Sequence, residues 1–249
     1  DKNPFGAYIL SERADDLFEG GFEISNLTIS ELSGLDNLFI LAEQAEIAGA
    51  DFRSLMSKLD SGTHVFVAAN QFSPTLKDSL GFDVSFSFHM LNQTIFESAT
   101  SKILAADSIE YEYPFSVISN YFTLDDDSEW KVLATLENNP ILISKELNDG
   151  VLTLCSTPYI FSNFGLLFDA NYPAAASMLS VLPESKTHFS LFYQLGKAEA
   201  TTPFRYFLRN GALRLSLYLA LFSVAVFLIV TSRRQQRPIP VIQPHPNTT

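Results

Sequence analysis

The stretch LSLYLALFSVAVFLIVTS, Leu215 to Ser232, runs for 18 residues without a charge and is bracketed by Arg214 before it and Arg233 and Arg234 after it. As a helix rising about 1.5 Å per residue it spans roughly 27 Å, close to the ~30 Å hydrocarbon core of a bilayer. A core helix of a globular domain keeps a polar face, and this one has none. The stretch therefore predicts a transmembrane helix at 215–232. It divides the chain into a folded domain (1–200), a basic juxtamembrane segment (201–214), the span, and a basic, proline-rich tail (233–249) whose end, PIPVIQPHPNTT, reads as extended.

Charge follows the same division. Residues 201–249 hold six arginines and no acid, whereas residues 1–200 carry ten bases against 28 acids, a balance of −18. An acidic globule without a basic stripe does not suit phosphate contacts, so nucleic acid is not an expected partner; the bilayer and membrane proteins are. Arginines flank the span equally, three before and three after. Arg233, Arg234 and Arg237 crowd its carboxyl end, while Arg205 and Arg209 lie in FRYFLR, which suits the interface. This favours a cytoplasmic C-terminus and an exported domain. The sequence opens at Asp1 without an apolar signal-like stretch, which predicts a removed N-terminal anchor or a fragment.

Hydrophobic periodicity sets the fold class. Asn3-Pro4 reads as an N-cap and first helical position, Gly20-Gly21 as a stop, and Leu10, Ala14, Leu17 and Phe18 fall on one helical face between them. FEISNLTIS then alternates as a strand, and NLFILAEQ is a continuous apolar run. Phe52, Leu55, Met56 and Leu59 mark a second helix closed by Gly62. HVFVAANQF follows, apolar on both faces from Val65 to Ala69, as a central parallel strand covered by helices requires. Ser73-Pro74 caps a short helix through Leu76 and Leu80 to Gly81. Strand and helix alternating at this spacing predict a doubly wound α/β fold with a mainly parallel sheet, of the amidotransferase or flavodoxin kind. DVSFSFHM, SIEYEYPFSVI, KVLATL, PILISKEL and GVLTLCS predict an antiparallel extension at one sheet edge, joined by links such as TLDDDSE. A last helix places Tyr172, Ala175, Ala176, Leu179 and Leu182 on one face, and THFSLFYQ closes the domain as a strand.

Open α/β sheets bind ligands beyond the carboxyl ends of their parallel strands. Here three apolar runs end in Glu43-Gln44, Asn70-Gln71 and Ser156-Thr157, with Asn163 close behind. These seven residues form the predicted ligand- or partner-binding rim, although Ser162 and Asn163 also suit a helix cap or turn. No nucleophile elbow or phosphate-binding glycine motif is present. The lone cysteine, Cys155, sits within a strand pattern, and buried thiols are mostly inert. His64, His89, His188 and His245 lack metal-ligand spacing. Asp125, Asp126, Asp127 and Glu129 lack the spaced ligands and glycine of a calcium loop and read as a solvated turn. No catalytic residue, metal or cofactor is predicted.

DKNPFGAYIL, TPYIFSNFGLL, PFRYFLRNGALRLSLYLALF and RRQQRPIPVI together resemble the bacterial membrane-anchored proteins catalogued as domain of unknown function 4350. The resemblance implies a domain with the class I glutamine amidotransferase fold, held in the inner membrane by an N-terminal anchor and a second helix, facing the periplasm with a cytoplasmic tail. It also implies an association with MoxR-type ATPases. The amidotransferase cysteine has no counterpart: its place falls near Asn70. Where relatives carry an acidic Trp-Asp-Glu-Tyr-Tyr run, Ser190 to Gln194 reads SLFYQ.

Three functions follow as expectations. The first is a non-catalytic, membrane-tethered interaction domain using the rim. The second is a hydrolase or amidotransferase-like enzyme using Cys155 or a carboxylate pair. The third is a scaffold whose edge strands pair with another subunit.

Overall fold

The computed structural model describes residues 2–18, 20–86, 100–104, 110–114, 120–125, 128–136, 138–194 and 211–232. The chain divides into two compact units, Asp1–Lys197 and Ala198–Thr249. In the first, strands β1 (Phe22–Ser25), β2 (Asn37–Ala45), β3 (His64–Phe72), β10 (Gly150–Cys155) and β11 (Thr187–Ser190) run parallel. β5 (Thr100–Leu104), β6 (Glu110–Pro114), β8 (Lys131–Leu136) and β9 (Asn139–Leu147) continue the same sheet antiparallel, giving the order β1-β11-β2-β3-β10-β9-β8-β5-β6. An antiparallel extension thus sits at one edge, as predicted, but two of the runs assigned to it lie elsewhere: GVLTLCS is β10, which pairs parallel with β3 and is the strand on which the extension starts, and DVSFSFHM supplies β4 (Phe82–Phe86), outside this sheet. β4 and β7 (Asn120–Leu124) form a separate antiparallel pair.

The pleat explains the layering. Successive side chains of a strand point to opposite faces, so Phe39 and Leu41 of β2 and Phe66 and Ala68 of β3 enter one core, and Leu38, Ile40, Val65, Val67 and Ala69 the other. On the first face lie the short helices α1 (Tyr8–Glu12) and α2 (Ala14–Leu17), with α5 (Asn163–Leu167) and α6 (Tyr172–Leu179). On the second lie α3 (Ala50–Asp60) and α4 (Pro74–Leu80), through Leu55, Leu59, Leu76 and Leu80. This is the doubly wound arrangement. The first core is strongly aromatic: Phe39 stacks on Phe189 at 5.2 Å, and Phe161 meets the edge of Phe66 at 5.6 Å. Such ring pairs add about 0.5–1.5 kcal/mol each beyond buried area.

Several boundaries differ from the sequence reading. The first helix does not start at Asn3. Residues 3–6 form a turn in which Gly6 donates to the Asn3 carbonyl, and the helical stretch breaks at Arg13 into α1 and α2, although Leu10, Ala14 and Phe18 are buried as their spacing predicts. β1 ends at Ser25, after which Thr28 and Glu31 close a turn through the Thr28 N–H and hydroxyl, both bonded to the Glu31 carboxylate. The α6 face is rotated by one residue: Ala174, Ala175, Met178 and Leu179 are buried, and Tyr172 is exposed. Only Thr187–Ser190 of THFSLFYQ is strand. Leu191–Gln194 turn into a helix, α7, that brings the Tyr193 hydroxyl to donate to Asp51 at 2.6 Å. β5 and β7 lie in stretches the alternation did not mark. The cap of α4 matches its prediction: Ser73 Oγ accepts from the Leu76 N–H, Pro74 follows, and Gly81 closes the helix at φ 70°.

In the second unit one helix is described, α8 (Gly211–Ser232), 22 residues long; at 1.5 Å per residue it measures about 33 Å. Its described side chains, 215–231, are exposed on all sides apart from the half-buried Leu217 and Thr231. Among the described residues no helix is both long and apolar enough to cross a membrane. Asp126, Asp127, His89 and His245, and the segments 201–210 and 233–249, lie outside the described residues.

Gly165 fixes how closely α5 approaches the turn before it. A Cβ there would overlap the Tyr159 and Ile160 carbonyl oxygens, which are backbone and cannot swing away. Gly165→Ala is expected to destabilise the domain by about 2–3 kcal/mol, read as a lower midpoint with unchanged slope in urea unfolding.

Candidate functional site

The carboxyl ends of β2, β3 and β10 lie side by side, with Leu41 and Cys155 both in register with Ala68. By the pleat, Glu43 and Asn70 emerge on the first face, and Gln44 and Gln71, themselves paired in register, on the second. The predicted rim is therefore split by the sheet. Gln44 turns its amide to Glu46 at 2.5 Å.

Glu43 and Asn70 converge on Tyr159, which the 3-10 turn Pro158–Phe161 places above the strand ends. Burial raises the Tyr159 phenol above its usual range, the Glu43 charge adds to the effect, and a hydrogen bond from Asn70 opposes it. The ring packs against the exposed Phe5 at 4.9 Å between centroids. Asn120, from β7, donates to the Asn70 carbonyl at 3.1 Å and, at 3.4 Å, to its side-chain oxygen. Tyr159 and Asn120 belong to the patch yet were not identified from the sequence. The signal for Tyr159 was a tyrosine just past a strand end; Asn120 arrives from a separate antiparallel strand pair, β4 with β7.

Three rim residues serve the fold instead. Ser156 is fully buried, its hydroxyl donating to the Asn120 carbonyl at 2.9 Å. Thr157 is buried with Oγ1 3.4 Å from Cys155 Sγ. Asn163 is a clamp: its side chain donates to the Asn3 carbonyl at 2.7 Å and accepts from the Ile9 N–H at 2.8 Å, while its own N–H reaches the Gly6 carbonyl at 2.7 Å. The NPFG turn is thereby fastened to α5, whose cap Ser162 accepts from the Gly165 N–H as its sequence suggested. Cys155 is fully buried, and burial pushes its thiol up to about 11. Among the described residues no cluster of three metal-ligating side chains occurs.

A second constellation lies across the sheet from the Tyr159 patch. The parallel pairing of β1 with β11 sets Glu23 opposite His188. Ser25 Oγ is 2.6 Å from His188 Nε2, and Glu23 Oε2 lies 3.8 Å from Nδ1 and 2.6 Å from Lys186 Nζ. His188 and Glu23 wall a cleft of about 290 Å³ with Leu27, Glu31, Leu35 and Asp36. Ser25 and His188 are 163 positions apart, so no local motif could announce them.

No family model and no curated protein matches the sequence. Among solved structures the chain is similar to the N-terminal domain of mmIFT52, with TM-score 0.50 and 16% identity over 73% of this chain and 92% of that one. It is also similar to a β-galactosidase from Bacillus circulans sp. alkalophilus, with TM-score 0.42 and 10% identity, covering 67% of this chain and 26% of that enzyme. A cytoplasmic protein from Salmonella typhimurium LT2 matches with TM-score 0.40 and 11% identity over 65% of this chain and 77% of that one. The chain spans about a quarter of the galactosidase. At these identities the first likeness speaks to the fold alone.

Two outcomes follow. Native protein at pH 8 is expected not to react with iodoacetamide at Cys155, whereas urea-unfolded protein is carboxymethylated, as read by intact mass. Asn163→Ala removes the acceptor of the half-buried Ile9 N–H and one of the two donors to the Asn3 carbonyl, and is expected to cost about 1–3 kcal/mol in denaturant unfolding.

Proposed function

We propose that the chain is a membrane-tethered interaction protein whose α/β domain binds a partner membrane protein through the patch of Glu43, Asn70 and Tyr159, and that this patch performs no catalysis. The observation that carries the reading is the chemistry of the strand ends. An amidotransferase-like frame would hold its nucleophile there; this chain places Asn70 at the end of β3 and keeps its only thiol buried beneath. What remains on the surface is a carboxylate, an amide, a phenol and the exposed ring of Phe5, a mixture of aromatic anchor and polar rim typical of protein recognition.

Tethering by α8 is supported by its length and by the absence of any charge from Leu215 to Ser232. The resemblance to domain of unknown function 4350 adds the bacterial inner membrane, a periplasmic domain, a cytoplasmic tail and an envelope assembly with a MoxR-type ATPase. The rival enzyme reading through Cys155 needs an accessible thiolate, which a thiol raised to about 11 does not supply at neutral pH.

Membranes carrying the full chain are expected to retain it through an alkaline carbonate wash and release it only in detergent; release by carbonate would overturn the span. A photo-crosslinker at position 43 is expected to capture one defined membrane protein. Combined Asn70→Ala and Tyr159→Phe substitution should cut that capture about tenfold, the equivalent of about 1.4 kcal/mol. Capture unchanged by both substitutions would remove the patch from the proposal.

A further inference from the structure

We propose that Ser25, His188 and Glu23 form an acyl-transfer site that hydrolyses a small neutral or cationic ester at the sheet edge. Three observations converge on it. The Ser25 hydroxyl is within hydrogen-bond distance, 2.6 Å, of Nε2 of His188, a side chain that is 10% exposed. A carboxylate, Glu23, directly opposite His188 in the strand register, faces the other ring nitrogen, favouring the tautomer with the proton on Nδ1 and leaving Nε2 free to accept. The same ring and carboxylate wall a cleft of about 290 Å³. A nucleophile, a base and the base's orienting acid, held in that chain of contacts, are recognised by geometry and role rather than by sequence order.

The pairing of two neighbouring strands builds the arrangement. Glu23 and Ser25 are two apart on β1, so the pleat sends both to the face on which His188 of β11 projects. The 3.8 Å between Glu23 and Nδ1 is longer than a hydrogen bond, because Lys186 holds the carboxylate at 2.6 Å. Catalytic contacts commonly tighten only when substrate is bound.

The reaction closes without a cofactor. Ser25 Oγ adds to the ester carbonyl carbon as its proton passes to His188 Nε2. The tetrahedral intermediate collapses, the bond to the alkoxide breaks, and the alkoxide takes the proton from Nε2. Water then attacks the acyl group by the same proton route, releasing the carboxylic acid and restoring the serine hydroxyl. The cleft sets the substrate class. Its volume suits a short acyl group, Leu27, Leu32 and Leu35 offer apolar contact, and Glu23, Glu31 and Asp36 outnumber Lys186 and disfavour an anion.

The site shares no residue with the Tyr159 patch, so either proposal can fail alone. The test treats the full chain in detergent micelles with a fluorophosphonate probe and locates the adduct by peptide mass spectrometry, with p-nitrophenyl butyrate as a turnover substrate. An adduct on Ser25 is expected, with labelling and turnover lowered at least about 100-fold in His188→Gln and abolished in Ser25→Ala. Burial holds His188 below the ordinary histidine value of 6.5, with Glu23 opposing and Lys186 adding to the shift; Glu31 and Asp36 face it across the cleft. The base acts only when neutral, so labelling is expected to persist as pH falls to 6.5 and to decline below it. Absence of an adduct on Ser25 in folded wild-type protein would overturn the proposal, as would equal labelling of His188→Gln. If His188→Gln does not fold, the position of the wild-type adduct decides alone.

Discussion

The burial of β2 and β3 on both faces is the constraint from which the remaining architecture follows. Val65 to Ala69 are wholly excluded from water, as are Leu38, Phe39 and Ile40. Strands so apolar cannot leave one face wet, so helices must cover each side, and the chain must cross the sheet to supply them. Crossing forces the parallel pairing, and parallel pairing sets the ends of β2, β3 and β10 side by side. The patch at Tyr159 is a by-product of that geometry. The pairing of β1 with β11 at the sheet edge comes from the same crossing pattern.

What the sequence made legible were the elements whose signals are local. The apolar run of β3, the Ser73-Pro74 cap and the α3 stripe each specify their own conformation from neighbouring residues, and each appears where its pattern put it. Misreadings arose where a distant group overrode a local preference. Asn3-Pro4 has every mark of a helix start, but the Asn3 carbonyl is claimed by Asn163, 160 residues away. Leu191 to Gln194 continue a β-like pattern, yet Tyr193 gains a buried position and the carboxylate of Asp51 by turning helical. The rotation of α6 has the same origin, since Met178 fills the first core and Tyr172 does not.

The candidate site was half legible for a related reason. Strand ends can be read from where an apolar run stops, which located Glu43 and Asn70. Which face each side chain takes depends on counting the pleat, and which groups descend on it depends on connections between strands. Ser156, Thr157 and Asn163 look polar and available in one dimension but are buried or committed in three. Tyr159 and Asn120 come into place only through the turn after β10 and the long-range pairing of β4 with β7.

The edge strand β1 has a temporal consequence. Its described partner in the sheet is β11, whose residues follow it by about 165 positions. On a ribosome adding about 5–20 residues per second, FEIS must wait about 8–33 seconds before β11 exists for it to pair with. Until then its backbone groups stay open to water or to a chaperone. The nascent domain is thus completed from the middle outward, and the outermost ribbon closes last.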